Sequence, residues 1–263
     1  MCGIAGFSLS TTSGVDRTLA AQSLLAGIAE RGADAVGYAH RSPRTRIEIT
    51  KQRSGASELL DRLRVPVDAT EALVHVRDYT KGHPSIEANN HPVRHGAMVG
   101  IHNGIIANDE EIFARHDFKR AAPAMTVDSE AIFALAELTN NHAESLEELR
   151  GAMATAWLDE RRPGLLFLAR GVGRPLWIGR GARETFFAST RVALDVVEQY
   201  AELKLQKREL DDGTMVALAD GRVAWSERFR PDSSFVEEDV LPAVRAPNEG
   251  ADCLARLAAL AAA

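Results

Sequence analysis

Apolar and polar positions along the chain alternate between two periods. Leu19, Leu24, Leu25 and Ile28 recur at helical spacing, predicting a helix over 15–31 that Gly32 stops. Further helices are predicted over 58–63, from Asp109, over 128–138 and over 191–200. The acids Asp109, Glu110 and Glu111 stand where a helix dipole favours negative charge. Strands are predicted over 4–8, 46–50, 72–76 and 97–101. After residue 150 short apolar runs dominate, over 165–168, 176–178 and 185–188, with closing strands over 202–210, 214–218 and 223–226. Asp211-Asp212-Gly213 and Asp220-Gly221 are turn signals. Residues 242–250 read as a linker, and 252–262 as a short terminal helix packed on the core. Strands and helices mix without strict alternation, which predicts an α+β fold of antiparallel sheets with helices on their outer faces.

Composition narrows the classes. The 263 residues are 45% hydrophobic and 26% charged, ordinary for a globular protein. The net charge of −6 argues against a generic nucleic-acid binder. No run of about 18 apolar residues predicts a membrane span, and the N-terminus has no secretory pattern. The cysteines, Cys2 and Cys253, are too far apart in sequence to suggest a disulfide framework. A reducing cytoplasm is the expected setting.

Cys2 is the most informative residue. Removal of Met1 would leave it with a free α-amine beside its thiol. An α-amine titrates near ~8 and a thiol near ~8.5, so the amine can act as general base for its own nucleophile. Gly3 is expected to let substrate approach, and the strand after it to fix the terminus.

Four further segments place polar residues beside apolar runs. Arg77, at a strand end, can hold a carboxylate by two parallel hydrogen bonds, or make a surface ion pair. Asn89-Asn90-His91-Pro92 reads as a hydrogen-bonded loop. Asn103-Gly104 reads either as a hairpin turn or as an amide and a backbone N–H that stabilise an oxyanion. Asp128, opening a helix, is either an N-cap or a partner for an ammonium group.

Together and in this order, these pieces resemble the class II glutamine amidotransferases, a branch of the N-terminal-nucleophile hydrolases. The matching stretches are Met1-Cys2-Gly3-Ile4-Ala5-Gly6, Arg31-Gly32-Ala33-Asp34-Ala35-Val36-Gly37, Arg77 with Thr80 and Gly82, Asn89-Asn90-His91-Pro92, His102-Asn103-Gly104-Ile105-Ile106-Ala107-Asn108 and Asp128-Ser129-Glu130. Gly173-Arg174-Pro175-Leu176-Trp177-Ile178-Gly179 and Phe187-Ala188-Ser189 extend the likeness, which covers roughly 2–226. Within the family, the glutaminase domain of glucosamine-6-phosphate synthase is the most similar.

The resemblance implies a four-layer αββα sandwich, with a glutaminase-type domain over 1–241 and a linker and short helix over 242–263. It implies that Cys2 attacks the side-chain amide of L-glutamine and that its α-amine relays the proton. Asn103 and Gly104 would form the oxyanion hole. Arg77 would bind the α-carboxylate and Asp128 the α-ammonium, with Thr80 and His91 shaping the pocket. Arg31 would be structural, near the nucleophile. A thioester would be hydrolysed to glutamate with release of ammonia. No metal or organic cofactor is implied, nor a nucleic-acid or membrane partner.

The chain departs from the family in the loop after Arg77. An aromatic residue is expected where Asp78 stands and a histidine where Lys81 stands, with one extra residue before His91. Asp78 is expected to weaken the charge of Arg77. No synthase module is read after the glutaminase-like part, so a separate synthase subunit in trans, a transferase encoded elsewhere or an amide hydrolase working alone is expected. Two alternatives differ in class: an N-terminal-nucleophile amidohydrolase acting on another small amide, and a non-catalytic regulatory module on the same scaffold.

Overall fold

Period-two alternation in the buried strands divides the interior into three apolar layers. In β1 (Gly3–Leu9), Ala5, Phe7 and Leu9 pack into one cluster and Ile4 into another. In β4 (Glu71–Arg77), Ala72, Val74 and Val76 join the first and Leu73 the second. Successive residues of a strand face opposite sides of its sheet, so both strands are covered twice. The computed structural model describes residues 1–42, 46–237 and 242–262.

Two antiparallel sheets form the centre. The first has seven strands in the order β11 (Gln206–Glu209), β9 (Trp177–Arg180), β10 (Glu184–Ala188), β1, β4, β2 (Ala35–Arg41) and β3 (Glu48–Gln52). The second has six, in the order β13 (Arg222–Arg228), β12 (Thr214–Ala219), β8 (Leu165–Arg170), β7 (Gly151–Asp159), β6 (Met98–Ile106) and β5 (Val93–His95). The cluster holding Ile4, Leu73, Val99, Ile101, Ala154 and Leu168 fills the space between them.

Helices cover both outer faces, giving the αββα sandwich. Over the first sheet lie α1 (Arg17–Ile28), α2 (Ser57–Leu60), α5 (Arg191–Tyr200) and α6 (Pro247–Ala261), sharing one apolar cluster with it. Over the second lie α3 (Asp109–Arg115) and α4 (Glu130–Leu138), with Ile112, Ile132, Phe133 and Leu135 packed against Trp157 and Phe167. Among the described residues no helix is long and apolar enough to cross a membrane.

Several elements differ from expectation. Strand β6 does not stop at Ile101 but runs on through Asn103-Gly104 to Ile106, so this pair is no turn. Strands β2, β5 and β7 were not predicted; β2 and β7 are buried at every position and lack the alternation that marks a half-exposed strand. The stretch expected as a linker already contains the first turns of α6, with Pro247 at its N-terminal turn, where a missing N–H costs nothing. Glu249 accepts hydrogen bonds from the Ser57 backbone N–H (2.9 Å) and hydroxyl (3.1 Å), and Cys253 and Leu257 are buried. The expected domain boundary at 241 and terminal residue 263 lie outside the described residues.

Leu257 is fully buried under α6, so Leu257→Ala is expected to cost ~2–4 kcal/mol of unfolding free energy in urea titrations. A loss within ~0.5 kcal/mol would mean that α6 is not docked in solution.

Candidate active site

Strand pairing carries Cys2 to the cleft. β1 runs antiparallel to β4 with Gly3 opposite Val76 and Ile4 opposite His75, which sets Cys2 beside the end of β4 at Arg77. The Arg31 Nε–H donates to the Cys2 carbonyl at 2.8 Å, and the Ser189 backbone N–H donates to the Ile4 carbonyl at 2.8 Å. Gly3 itself does not open the cleft: a Cβ there would meet Val76 at 2.8 Å and Ile28 at 2.9 Å. It serves packing under the helices, which corrects the expectation of close substrate approach.

A narrow, nearly filled cleft of about 10 Å³, the room of a single water, lies where Cys2 meets the end of β4. Cys2, Arg77, Thr80, His91, Gly104 and Asp128 all line it. Of the predicted site residues, Asn103 and Arg31 are not on its surface and are buried behind it. Tyr79, Lys81, His102, Val127 and Ser129 also line the cleft. Sequence reading gave these no role, although Ser129 adjoins Asp128 and His102 adjoins Asn103.

Gly104 has φ +147°, and a Cβ there would meet the Ala152 carbonyl at 1.8 Å. Only glycine fits this backbone. Neither amide atom of the fully buried Asn103 has a hydrogen-bond partner among the described residues. An orphaned buried amide costs on the order of 1–3 kcal/mol and calls for a functional explanation.

The charged groups are held differently. The Arg77 guanidinium is buried, and it donates to Asn90 Oδ1 at 2.5 Å, to the Lys81 carbonyl at 2.9 Å and to the Gly82 carbonyl. The loop after Arg77 thus folds onto it, and Lys81 fastens that loop to Asp109 at 2.7 Å. Asn89 Oδ1 accepts from the Thr126 and Val127 N–H groups at 2.8 and 3.1 Å, tying the same loop to the Asp128 segment. Asp128 accepts from the Ile106 N–H at 2.7 Å and the Ser129 N–H at 2.9 Å. Burial pushes its carboxyl up to about 6.

Asp78 does not neutralise Arg77 as expected. Its carboxylate takes the Met1 ammonium and lies 3.3 Å from Arg245 Nε, while its backbone carbonyl accepts from the Cys2 thiol at 3.4 Å. Burial pushes the thiol above its usual range, partly offset by that hydrogen bond and by Arg77. His75 stacks on His91 with centroids 4.2 Å apart, and His102 Nδ1 lies 2.9 Å from the Ser129 hydroxyl. Burial lowers His75 and His102 to about 3 and His91 well below its ordinary value, so all three are neutral near pH 7. Among the described residues no cluster of His, Cys, Asp or Glu is arranged to hold a metal ion.

A thiol, a buried cation, a buried anion and an unpaired amide around one narrow cleft fit a small zwitterionic amide. Residues 80–196 match the glutamine amidotransferase domain family. The chain is 31% identical over 206 residues to the glutamine–fructose-6-phosphate aminotransferase (isomerizing) of Vibrio parahaemolyticus, a match covering 74% of this chain and 32% of the relative. It is 33% identical over 218 residues to the enzyme of that name from Haemophilus ducreyi, covering 78% and 34%. The chain spans about a third of the length of these relatives. In structure it is similar to the glutamine phosphoribosylpyrophosphate amidotransferase from B. subtilis, with TM-score 0.66, 20% identity, and coverage of 86% of this chain and 49% of that one. The structure of the allosteric regulatory enzyme of purine biosynthesis gives TM-score 0.68 at 22% identity, with the same coverage.

Residues 80–196 thus belong to the glutamine amidotransferase domain family, and the chain shares its αββα fold with the amidotransferases of known structure. Its sequence relatives are the isomerizing glutamine–fructose-6-phosphate aminotransferases.

The raised Asp128 has a consequence for stability. Its folded value, about 6, lies above the ~3.9 of an unfolded Asp. The folded state therefore binds the extra proton between those values, and stability falls as pH rises from about 4 to about 6. Asp128→Asn is expected to remove this loss, on the order of 3 kcal/mol, in urea titrations at pH 4 and pH 7. An unchanged pH dependence would contradict the assignment.

Proposed function

We propose that this protein hydrolyses the side-chain amide of L-glutamine through a Cys2 thioester and passes the ammonia to a synthase subunit in trans, in the cytoplasm. The observation that carries the reading is the shared cleft, in which Cys2 and Gly104 stand with Arg77 and Asp128. L-Glutamine carries a carboxylate, an ammonium and a terminal amide, and each has a complement there.

The chemistry follows from the site's protonation states. Burial raises the Cys2 thiol, so it needs a base. The neighbouring histidines sit beside cationic Arg77 in a buried cluster that strongly resists taking a proton. The α-amine that loss of Met1 would expose on Cys2 is the remaining candidate. With Met1 in place the free amine belongs to Met1 and is taken by Asp78.

In the processed form the amine takes the thiol proton as sulfur attacks the amide carbon. Negative charge moves to the amide oxygen, where the Asn103 side-chain N–H and the Gly104 N–H stabilise it. The C–N bond then breaks, and the amine returns its proton to the departing nitrogen, releasing ammonia. Water adds to the thioester, and sulfur leaves with a proton to regenerate Cys2 and free glutamate. Arg77 holds the α-carboxylate once the Lys81 and Gly82 carbonyls give way, and Asp128 holds the α-ammonium. Thr80 and His91 shape the wall, and Arg31 fixes the backbone of the nucleophile.

Processed protein is expected to release ammonia from L-glutamine, and Cys2→Ala to release none above background. Asn103→Ala is expected to lower kcat by roughly 10²–10³, whereas Arg77→Ala is expected to raise KM chiefly. Intact-mass measurement establishes the loss of Met1, and coupled glutamate detection gives the rates. Equal rates in wild type and Cys2→Ala would remove the mechanism.

A further inference from the structure

Asp78 is where the two ends of the chain meet. Its carboxylate binds the Met1 ammonium, and Arg245 Nε lies 3.3 Å from Oδ2 and 3.4 Å from Oδ1. Its backbone carbonyl accepts from the Cys2 thiol at 3.4 Å. Arg245 belongs to the segment leading into α6, and that segment is firmly seated. The backbone N–H groups of Arg245 and Ala246 both donate to the Glu30 carbonyl at 2.8 Å. Glu30 adjoins Arg31, which holds the Cys2 carbonyl at 2.8 Å. The stretch before α6 is therefore tethered to the backbone that positions the nucleophile.

Loss of Met1 leaves this carboxylate without its ammonium and creates a new amine on Cys2, three bonds from the old one. The Cys2 thiol already donates to the Asp78 carbonyl at 3.4 Å, which keeps the residue bearing the new amine beside Asp78. We propose that Asp78 is a positioning residue for the α-amine of processed Cys2, and that Arg245 sets how firmly Asp78 holds it. The inference rests on the reading of Cys2 as an N-terminal nucleophile. Asp78 alone would keep the amine as ammonium, oriented but unable to accept a proton. Sharing the carboxylate with Arg245 loosens that hold and keeps the amine available as a base. The charged and titratable groups around this point are the Cys2 thiol, Arg77 of β4, Glu30 and Arg31 of the turn after α1, Asp34, which accepts from the Tyr79 N–H at 2.9 Å, Arg174 beside Arg31, and Arg245.

The test uses processed protein, checked by intact mass, as wild type, Asp78→Asn, Arg245→Gln and Arg245→Lys. Two readouts are taken: the pH profile of kcat/KM for L-glutamine, and the pH dependence of reductive methylation of the N-terminal amine. An opposite charge within a few ångströms moves a titration by ~1–3 pH units, and sharing with Arg245 places the effect at the low end. Asp78→Asn is expected to move both midpoints down by ~1 pH unit and Arg245→Gln to move them up by ~0.5–1. Arg245→Lys should restore the wild-type midpoint, with KM for glutamine within about twofold throughout, as neither side chain is placed on the substrate. Both residues are partly exposed outside the core, so the variants should fold. Midpoints that stay fixed, or that move in the same direction in Asp78→Asn and Arg245→Gln, would overturn the proposal. Should wild type show no amidase activity, the functional reading fails, and the methylation series alone still decides the role of Asp78.

Discussion

The antiparallel pairing of β1 with β4 is the constraint on which the site depends. β1 occupies the middle of the seven-stranded sheet, held by β4 on one side and β10 on the other. Its register puts Ile4 into the space between the sheets and Ala5 and Phe7 under the helices. By the same alternation Cys2 turns toward the inter-sheet side, where β6 and its Asn103-Gly104 pair lie. A slip of one residue would send the thiol into the helical layer and Phe7 into the wrong one. The hydrophobic core thus aims the Cys2 thiol, and fixing the terminus is part of fixing the fold.

On that frame the electrostatics assign roles by exclusion and by burial. Histidines packed against each other and beside Arg77 are costly to charge, so they act as neutral walls. Asp128 pays a desolvation penalty that the Ile106 and Ser129 backbone N–H groups, the Ser129 hydroxyl at 3.4 Å and the Lys81 charge offset only in part, which suits it to receive a cationic ligand. Arg77 is satisfied by loop carbonyls and Asn90 in the absence of ligand. A ligand carboxylate would exchange with those neutral acceptors and make stronger, charge-assisted bonds. The loop that closes on Arg77 is stapled by Lys81 to Asp109.

Much of this was legible in the sequence, for physical reasons that differ by element. Helix α5 matches its predicted span because one face is strongly apolar and Thr190 caps its start. Strand β7 escaped because Gly151, Ala152, Ala154 and Ala156 are small, every position is buried, and no alternation survives. The Asn103-Gly104 pair was ambiguous because the same dipeptide makes hairpins; only the strand partners Ala154 and Met153 settle it. Cys2, Arg77, Thr80, His91, Gly104 and Asp128 were legible as a group through their joint resemblance to one family, whereas Tyr79, Lys81, His102, Val127 and Ser129 reach the same cleft only through tertiary packing. The partners of Asp78 were not, since they come from Met1 and Arg245, whose positions relative to it are set by tertiary packing.

The central claim is that the thiol of Cys2 attacks an amide held in this cleft. Its most direct test is covalent capture of processed protein with an L-glutamine analogue bearing a γ-diazoketone in place of the amide, followed by peptide mapping. One adduct per chain on the peptide beginning at Cys2, prevented by excess L-glutamine, is the expected result. Modification at Cys253 instead, or an adduct that L-glutamine does not prevent, would contradict the account.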